Sequence, residues 1–247
     1  EAVRTVLQRQ RDVKAVAIVH AETSTGVLHP LPEISKLCHD HDALLVIDCV
    51  TSIAGCSLEI DAWEVDVAYS GTQKCLGCPP GLSPLTFSPR AVEVINKRRN
   101  RPSSFYFDLG ELFKYWSDAR AYHHTGPTNM MYALREGLRM VHEEGIENRV
   151  ERHKRNSDLF IKRLESMGLE PFAQADVRLP PLITVRIPSG VDDRMVRRRL
   201  LDDYNVEISG GIGRVAGQVW RIGLMGYNST PRNVSYLSHA LQTILGR

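Results

Sequence analysis

Short apolar segments alternate with helical patterns in the first half of the chain, and this alternation restricts the possible folds most strongly. Residues 13–20 (VKAVAIVH), 43–48 (ALLVID) and 65–70 (VDVAYS) are typical of buried strands, and 82–88 (LSPLTFS) is a candidate fourth. Residues 31–41 place apolar side chains at helical spacing between the first two strands. Strands that are apolar on both faces and alternate with helices predict an α/β fold. In such a fold a mostly parallel sheet is covered by helices on both faces.

The second half of the chain has a different pattern. Residues 129–167 predict helices with a break near Gly145, and residues 146–167 predict a long amphipathic helix with a solvated basic face. We therefore expect two domains, a large one at residues 1–145 and a smaller α+β domain at 146–247. The remaining segments of the second domain are predicted as strands at 182–187, 205–209 and 219–224 and as helices at 192–203 and 230–245.

Composition excludes several classes of protein. A hydrophobic content of 43% and a charged content of 24% over 247 residues are ordinary for a soluble globular protein. The net charge of +2 gives no support for binding nucleic acid or an anionic membrane. Apolar runs such as residues 15–19 and 43–47 are far too short to span a bilayer. Five irregularly spaced cysteines favour a reducing compartment over a disulfide framework.

Two charged residues follow neighbouring strands of the predicted sheet. Ligands of such sheets bind beyond the carboxyl ends of the strands, where Asp48 and Lys74 both lie. Asp48 is either a turn or capping carboxylate, or an anion that holds a cationic ring nitrogen. Lys74 is either an exposed turn residue, or an amine that desolvation activates for covalent chemistry. At this spacing the pair is typical of enzymes that use pyridoxal phosphate (PLP).

The same turn contains a second motif, Cys75-Leu76-Gly77-Cys78. A CxxC pair is found in redox dithiols and in half of many zinc sites. No other cluster of cysteine and histidine completes a metal site, so we expect none. A non-catalytic redox or zinc-binding module on Cys75 and Cys78 stays open as an alternative.

Six motifs occur in an order that resembles one enzyme family. The chain resembles the class V aminotransferases, most closely the alanine–glyoxylate/serine–pyruvate aminotransferase family, over essentially its whole length. The resemblance implies PLP-dependent transferase fold type I with a smaller C-terminal α+β domain. The motifs are HAETSTG (20–26), LLVIDCVTSIAG (44–55), YSGTQKCLGCPPG (69–81), YHHT (122–125), ALREGL (133–138) and WRIGLMG (220–226).

The resemblance also implies roles for cofactor-binding residues. Lys74 matches the Schiff-base lysine, which also carries the transferred proton, and Asp48 matches the partner of the pyridine nitrogen. Thr23 matches a residue on the O3′ side of the cofactor, and Gln73 matches a phosphate contact. The competing interpretation is that Thr23 and Gln73 are ordinary turn residues.

Further residues match positions that contact a second subunit or the substrate. Tyr122 and Thr125 match residues that reach the phosphate of the neighbouring subunit's cofactor, which implies a homodimer with shared active sites. Arg221 matches the arginine that binds the substrate α-carboxylate, for which a planar guanidinium is suited. Alternatively, Arg221 pairs with a structural carboxylate, and Tyr122, His123 and His124 serve packing or capping. We assign the two histidines no catalytic role.

The implied activity is a ping-pong transamination of small amino and 2-oxo acids. Alanine or serine donates an amino group to glyoxylate, which gives pyruvate or hydroxypyruvate and glycine. One alternative is another donor, such as 3-hydroxykynurenine. A second is a cysteine desulfurase, but those enzymes typically have histidine at the position of Gln73 and a cysteine on a later loop, and this chain has none after Cys78. The resemblance implies an intracellular location. The peroxisome is the first expectation, and the mitochondrion and the cytosol are the alternatives.

The resemblance is incomplete at the N-terminus. Family members are longer there, and the additional part supplies a Ser/Gly-rich phosphate cup and an aromatic residue that stacks on the cofactor. Neither precedes Glu1, and the GGIG segment at 210–213 has the wrong context for such a cup. We therefore expect a chain that lacks the first part of its large domain and is inactive alone.

Overall fold

The computed structural model describes residues 1–246, and its elements follow the predicted alternation of strands and helices. In the first half they are α1 (Ala2–Arg9), β1 (Ala15–Val19), β2 (Ala21–Glu22), β3 (Val27–Leu28), α2 (Leu31–Asp40), β4 (Leu44–Asp48), β5 (Val67–Tyr69), β6 (Leu85–Phe87), α3 (Pro89–Asn96), α4 (Leu109–Trp116) and α5 (Thr128–Glu144). In the second half they are α6 (Ile146–Ser166), β7 (Leu182–Arg186), α7 (Asp193–Tyr204), β8 (Ser209–Gly210), β9 (Val219–Gly223) and α8 (Pro231–Leu245).

The first sheet has the strand order β1-β4-β5-β6. Strands β1, β4 and β5 are parallel, and Asp48 lies opposite Val19 on one side and Tyr69 on the other. The predicted fourth strand is present as β6, but it is antiparallel to β5. The physical reason is the connection at residues 70–84, which contains no helix and cannot provide the crossover that a parallel strand requires.

Helix α2 covers one face of this sheet. Leu31 and Ile34 on the helix pack with Leu45 and Ile47 of β4 in one buried apolar cluster, which Val65 extends. The alternating helix and strand patterns of the sequence therefore meet in a shared core, as the α/β prediction requires.

The second sheet has the order β7-β9-β8 and is antiparallel throughout. Phe160 of α6, Leu200 of α7 and Leu241 of α8 pack with Trp220 of β9 in a separate buried core. The predicted strand at 205–209 is wrong in its position. Asn205 has a φ of 53° and ends α7 in the left-handed conformation that often closes helices, so strand pairing begins only at Ser209.

Gly145 separates α5 from α6 with a φ of 81°, a backbone conformation that glycine adopts without strain. A small apolar cluster joins the two halves, with Ala21 and Cys56 packed on Leu179 and Leu182. The division into domains 1–145 and 146–247 stays a prediction. Within residues 1–246, no helix is both long enough and apolar enough to cross a membrane.

Candidate active site

Asp48 ends strand β4 at the edge of the sheet where ligands of α/β folds bind. Its carboxylate Oδ1 accepts a hydrogen bond of 2.9 Å from the Val50 backbone N–H, and its carbonyl oxygen accepts one of 2.9 Å from the N–H of His20. The first contact is the local turn interaction that the simpler interpretation of Asp48 requires. It also fixes the orientation of a half-buried carboxylate at this edge.

Lys74 lies in a tightly folded loop that begins directly after β5. The Thr72 hydroxyl donates to the Pro79 carbonyl oxygen at 2.6 Å, and the Gly77 N–H donates to the Lys74 carbonyl oxygen at 3.0 Å. Asp48 and Tyr69 are opposite each other in the sheet, so this loop leaves the same edge that Asp48 occupies. Lys74 is half-buried, and its ammonium group has no ion pair within residues 1–246.

Gln73 is exposed beside Lys74, and its side chain folds back over Gly71. A Cβ atom at position 71 would lie 2.5 Å from Gln73 Oε1, so a larger residue there would displace the Gln73 side chain. This arrangement leaves a side-chain amide next to Lys74. Its contact with a cofactor phosphate stays a prediction.

Thr23 lies in the turn between β2 and β3. The turn is held by a hydrogen bond of 2.7 Å from the Ser24 N–H to Glu22 Oε1, and Gly26 has a φ of 74°. The Thr184 hydroxyl of β7 donates to the Thr25 carbonyl oxygen at 2.6 Å. The hairpin that carries Thr23 is therefore attached to the second sheet.

Arg221 lies in the middle strand of that second sheet, opposite Thr184 and Ser209. Its Nε donates a hydrogen bond of 2.8 Å to the Gly210 carbonyl oxygen. The part of the chain that the structure describes offers it no carboxylate partner, so the structural ion pair considered above has no support. The two terminal nitrogens remain available for a bidentate ligand.

Tyr122 and Thr125 form a small exposed unit. The Tyr122 hydroxyl lies 2.8 Å from Thr125 Oγ1, and the tyrosine is 76% exposed. Across residues 1–246, no hydrogen bond connects either residue with Asp48 or Lys74. The structure therefore brings Asp48 and the Lys74 loop to one edge but leaves Tyr122 and Thr125 outside their hydrogen-bond network.

His123 is buried next to this unit. Its ring stacks on Phe105 with centroids 4.4 Å apart, and its Nε2 lies 3.0 Å from the Phe105 carbonyl oxygen. Its Nδ1 lies 2.8 Å from Nδ1 of His124. These contacts agree with a packing role for His123.

The predicted solvated basic face of the helix at residues 146–167 is present at Lys154 and Arg155, which are exposed, but the prediction is wrong for Arg149 and His153. Arg149 is only 4% exposed and His153 is fully buried. Arg149 Nη2 donates to the Cys75 carbonyl oxygen at 2.9 Å, and its Nη1 donates to Glu144 Oε2 at 2.8 Å. A buried guanidinium needs such partners, and here they come from the end of α5 and from the loop of Lys74.

Two further side chains of α6 hold the segment that follows β9. Arg152 Nη1 donates to the carbonyl oxygens of Gly226 at 3.0 Å and Ser229 at 2.7 Å, while its Nε bonds Glu144. His153 Nε2 accepts a hydrogen bond of 2.9 Å from the Gly226 N–H, so its Nδ1 carries the proton that bonds the Arg149 carbonyl oxygen. Burial lowers the pKa of His153 to about 4. We call Arg149, Arg152 and His153 of α6, together with Glu144 at the end of α5, the α6 polar seam.

Sequence reasoning missed the α6 polar seam, although a signal was present. Positions 149, 152, 153 and 156 lie on one face of a helix at spacings of three and four residues. Arg149, His153 and Asn156 on that face are buried.

The two cysteines of the CxxC motif contact different segments. The Cys75 thiol donates to the Thr51 carbonyl oxygen at 3.3 Å, and the Cys78 thiol donates to the Ala133 carbonyl oxygen at 3.4 Å. Burial raises the pKa of Cys75 to about 12, which suppresses the thiolate needed for redox or zinc chemistry. All five cysteines are buried free thiols. These contacts favour packing over a dithiol site.

The chemistry of the side chains at this edge fits PLP. Asp48 offers a fixed carboxylate for a protonated ring nitrogen, and Lys74 offers an amine without an ion pair for a carbonyl carbon. The hydroxyl of Thr23 and the amide of Gln73 can donate hydrogen bonds to the oxygen atoms of such a ligand.

Comparison with known proteins gives one family. The family model described as aminotransferase class-V matches residues 2–237. The (S)-ureidoglycine–glyoxylate transaminase of Bacillus subtilis is 42% identical, and the alignment covers 95% of this chain and 61% of that protein. The alanine–glyoxylate aminotransferase of Callithrix jacchus is 41% identical over 92% of this chain and 56% of its own length.

A solved structure gives the same result. The alanine–glyoxylate aminotransferase of Nostoc sp. superposes with a TM-score of 0.95 at 48% identity, over 98% of this chain and 64% of that one. The fold prediction is thereby confirmed. The chain spans 61% and 56% of the lengths of the two curated relatives.

Proposed function

This chain belongs to the class V aminotransferase family, whose members are PLP-dependent, and on that premise we propose that the protein transfers amino groups to glyoxylate. The observation that carries the proposal is the pairing of Asp48 with Tyr69, which brings the Lys74 loop to the edge that Asp48 occupies. Both curated relatives named above are glyoxylate aminotransferases by name.

Four residues would hold the cofactor within this chain. Lys74 would carry PLP covalently, Asp48 would bind its ring nitrogen, Thr23 would contact its O3′ side and Gln73 its phosphate. When bound, PLP supplies an electron sink for the negative charge that develops at the substrate α-carbon. By keeping the ring nitrogen protonated, Asp48 would preserve that sink.

Lys74 and Arg221 would act on the substrate. Arg221 Nη1 and Nη2 would bind the α-carboxylate as a fork, and this contact would orient the α-carbon toward Lys74. Once the substrate amine has replaced Lys74 on the cofactor, the freed amine of Lys74 would accept the proton from the α-carbon as a general base. The proposal needs an arginine without a carboxylate partner, and Arg221 has none in residues 1–246.

We propose alanine or serine as the amino donor, with glycine as the product from glyoxylate. The Bacillus subtilis relative supports (S)-ureidoglycine as a second candidate, since its name states that donor. 3-Hydroxykynurenine stays a further alternative. A cysteine desulfurase has less support, because every cysteine of the described chain is buried.

Tyr122 and Thr125 would complete the site of a second copy. Tyr122 is highly exposed and hydrogen-bonded to Thr125, which suits a role outside its own subunit. We therefore propose a homodimer with shared active sites, located in the peroxisome, mitochondrion or cytosol.

A donor panel tests the proposed function. The holoenzyme is incubated with glyoxylate and ¹⁵N-labelled alanine, serine or (S)-ureidoglycine, and labelled glycine is measured by mass spectrometry. We expect label in glycine with at least one donor, and none after Lys74→Arg. The matched control is Lys36→Arg, because Lys36 is an exposed residue of α2. If no donor gives ¹⁵N label in glycine, the result would contradict glyoxylate as the acceptor.

A further inference from the structure

The backbone around Gly226 packs directly against the Lys74 loop. A Cβ atom at position 226 would lie 3.2 Å from the Cys75 carbonyl oxygen and 3.3 Å from Gly77 Cα. Gly226 also has a φ of 57°, so a larger residue is strained there by both the close contact and the backbone conformation. Since Gly226 follows Arg221 by five residues, the segment after the Arg221 strand touches the loop that carries Lys74.

The α6 polar seam bonds both sides of this contact. Arg149 bonds the Cys75 carbonyl oxygen, next to Lys74, while Arg152 and His153 bond the carbonyl oxygen and the N–H of Gly226. Glu144 accepts hydrogen bonds from both arginines and so connects them. The two loops are therefore held by adjacent turns of one helix.

We propose that the α6 polar seam is a positioning device that sets the separation between Lys74 and Arg221. This inference rests on the proposed function, in which Lys74 acts at the α-carbon and Arg221 binds the α-carboxylate. Those two groups are one bond apart in every α-amino acid, so the residues that act on them need a fixed separation. A displacement of about 1 Å can reduce the rate of such a reaction about 100-fold. None of the four seam residues needs to touch the substrate.

A steric wedge between the loops tests the proposal. In Gly226→Ala the new methyl group crowds residues 75–77 and displaces the Gly226 segment, while the side chains of Lys74, Arg221 and the four seam residues are not substituted. Gly213→Ala is the matched control, because Gly213 has a nearly identical φ of 56° but no heavy atom within 4 Å of the added Cβ. Both variants carry similar backbone strain, so any difference between them arises from the contact of the added methyl group with residues 75–77.

The kinetic measurement compares two reagents that attack PLP enzymes, aminooxyacetate and O-methylhydroxylamine. Only aminooxyacetate has a carboxylate for Arg221. In Gly226→Ala we expect the ratio of their second-order rate constants to fall about tenfold or more, and in Gly213→Ala to stay at the wild-type value. An unchanged ratio in a folded Gly226→Ala protein would overturn the proposal.

A second measurement needs no cofactor. Hydrogen exchange of the apo-protein is followed by mass spectrometry on a peptide that spans residues 74–78. We expect faster exchange in Gly226→Ala than in Gly213→Ala, and equal rates in the two variants would contradict the coupling between the loops. If the wild-type protein binds no PLP, the proposed function fails, while this comparison still decides whether the loops are coupled.

If Gly226→Ala does not fold, Arg152→Lys replaces it. Lysine keeps the charge but lacks the planar fork that bonds Glu144, Gly226 and Ser229 together. Arg155→Lys is its control, because Arg155 is exposed on the same helix. The reagent ratio and the exchange rate should change in Arg152→Lys alone, and no change in either would overturn the proposal.

Discussion

The Arg149 guanidinium donates a hydrogen bond of 2.9 Å to the carbonyl oxygen of Cys75, the residue that follows Lys74. This bond connects a helix of the second half of the chain with the loop that carries the proposed catalytic lysine. Both partners are buried, so the bond forms in an environment where an unpaired polar group is costly.

Arg149→Met should therefore destabilise the protein. The change removes the partner of the Cys75 carbonyl oxygen and one partner of Glu144, and breaking a buried charge network of this kind costs about 3 kcal/mol. The measurement is the free energy of unfolding in urea. Arg139→Met is the control, because Arg139 pairs with Glu136 on the surface. Equal losses in the two variants would show that the buried bonds add nothing.

The stability of the protein should fall as the pH decreases from 6.5 to about 4. Burial lowers the pKa of His153 and of His20 from 6.5 to about 4. In this window the unfolded chain binds protons that the folded protein cannot, so acid favours unfolding. The contribution of the two histidines to the free energy of unfolding is fully present above pH 6.5. Each histidine contributes about 3 kcal/mol across the window.

His153→Gln should flatten this dependence. Glutamine does not titrate, so the variant should lose less stability between pH 6.5 and pH 4 than the wild-type protein, as measured by urea unfolding across the range. His142→Gln, at an exposed position of α5, should follow the wild-type curve. A His153→Gln curve parallel to that of the wild type would mean that His153 titrates normally in the folded protein.

Arg221→Ala should raise KM for every carboxylate substrate by about 10- to 100-fold, because two charge-assisted hydrogen bonds are lost. Arg221→Lys should recover part of this loss, since lysine keeps the charge but not the fork. Arg186→Ala is the control, because Arg186 lies in β7 of the same sheet but pairs with Glu170 at the surface. An unchanged KM in Arg221→Ala would show that another group binds the carboxylate.

The cysteines should be unreactive in the folded protein. Burial raises the pKa of Cys49 to about 11 and that of Cys75 to about 12, so few thiolates form at pH 8. Labelling with iodoacetamide should be slow until urea unfolds the chain. A Cys75→Ala, Cys78→Ala double variant should retain amino transfer. Its complete loss in a folded protein would restore the dithiol as an essential site.

Apolar pattern predicts the part of this fold that depends on burial alone. Strands β1, β4 and β5, helix α2 and the break at Gly145 lie where the sequence places them. The antiparallel direction of β6 is harder to predict from sequence, because it depends on the path of the helix-free loop at residues 70–84. The sequence pattern does not predict helices α3 and α4, because their short apolar patterns lie among prolines and charged residues.

The same distinction applies to the site. The parallel pattern alone brings Asp48 and the Lys74 loop to one edge, whereas the assignment of Arg221 depends on the family resemblance. The buried state of Arg149 could not be predicted from its charge. Its partners Glu144 and Cys75 are 5 and 74 residues away in sequence, so they meet it only in the folded chain.

The central claim is that Lys74 holds PLP. The most direct measurement reduces the PLP-loaded holoenzyme with borohydride and locates the modified residue by peptide mass spectrometry. The account predicts a pyridoxyl group on Lys74, together with loss of the visible absorbance band of the bound cofactor. A holoenzyme whose stable pyridoxyl group lies on a different lysine would contradict it.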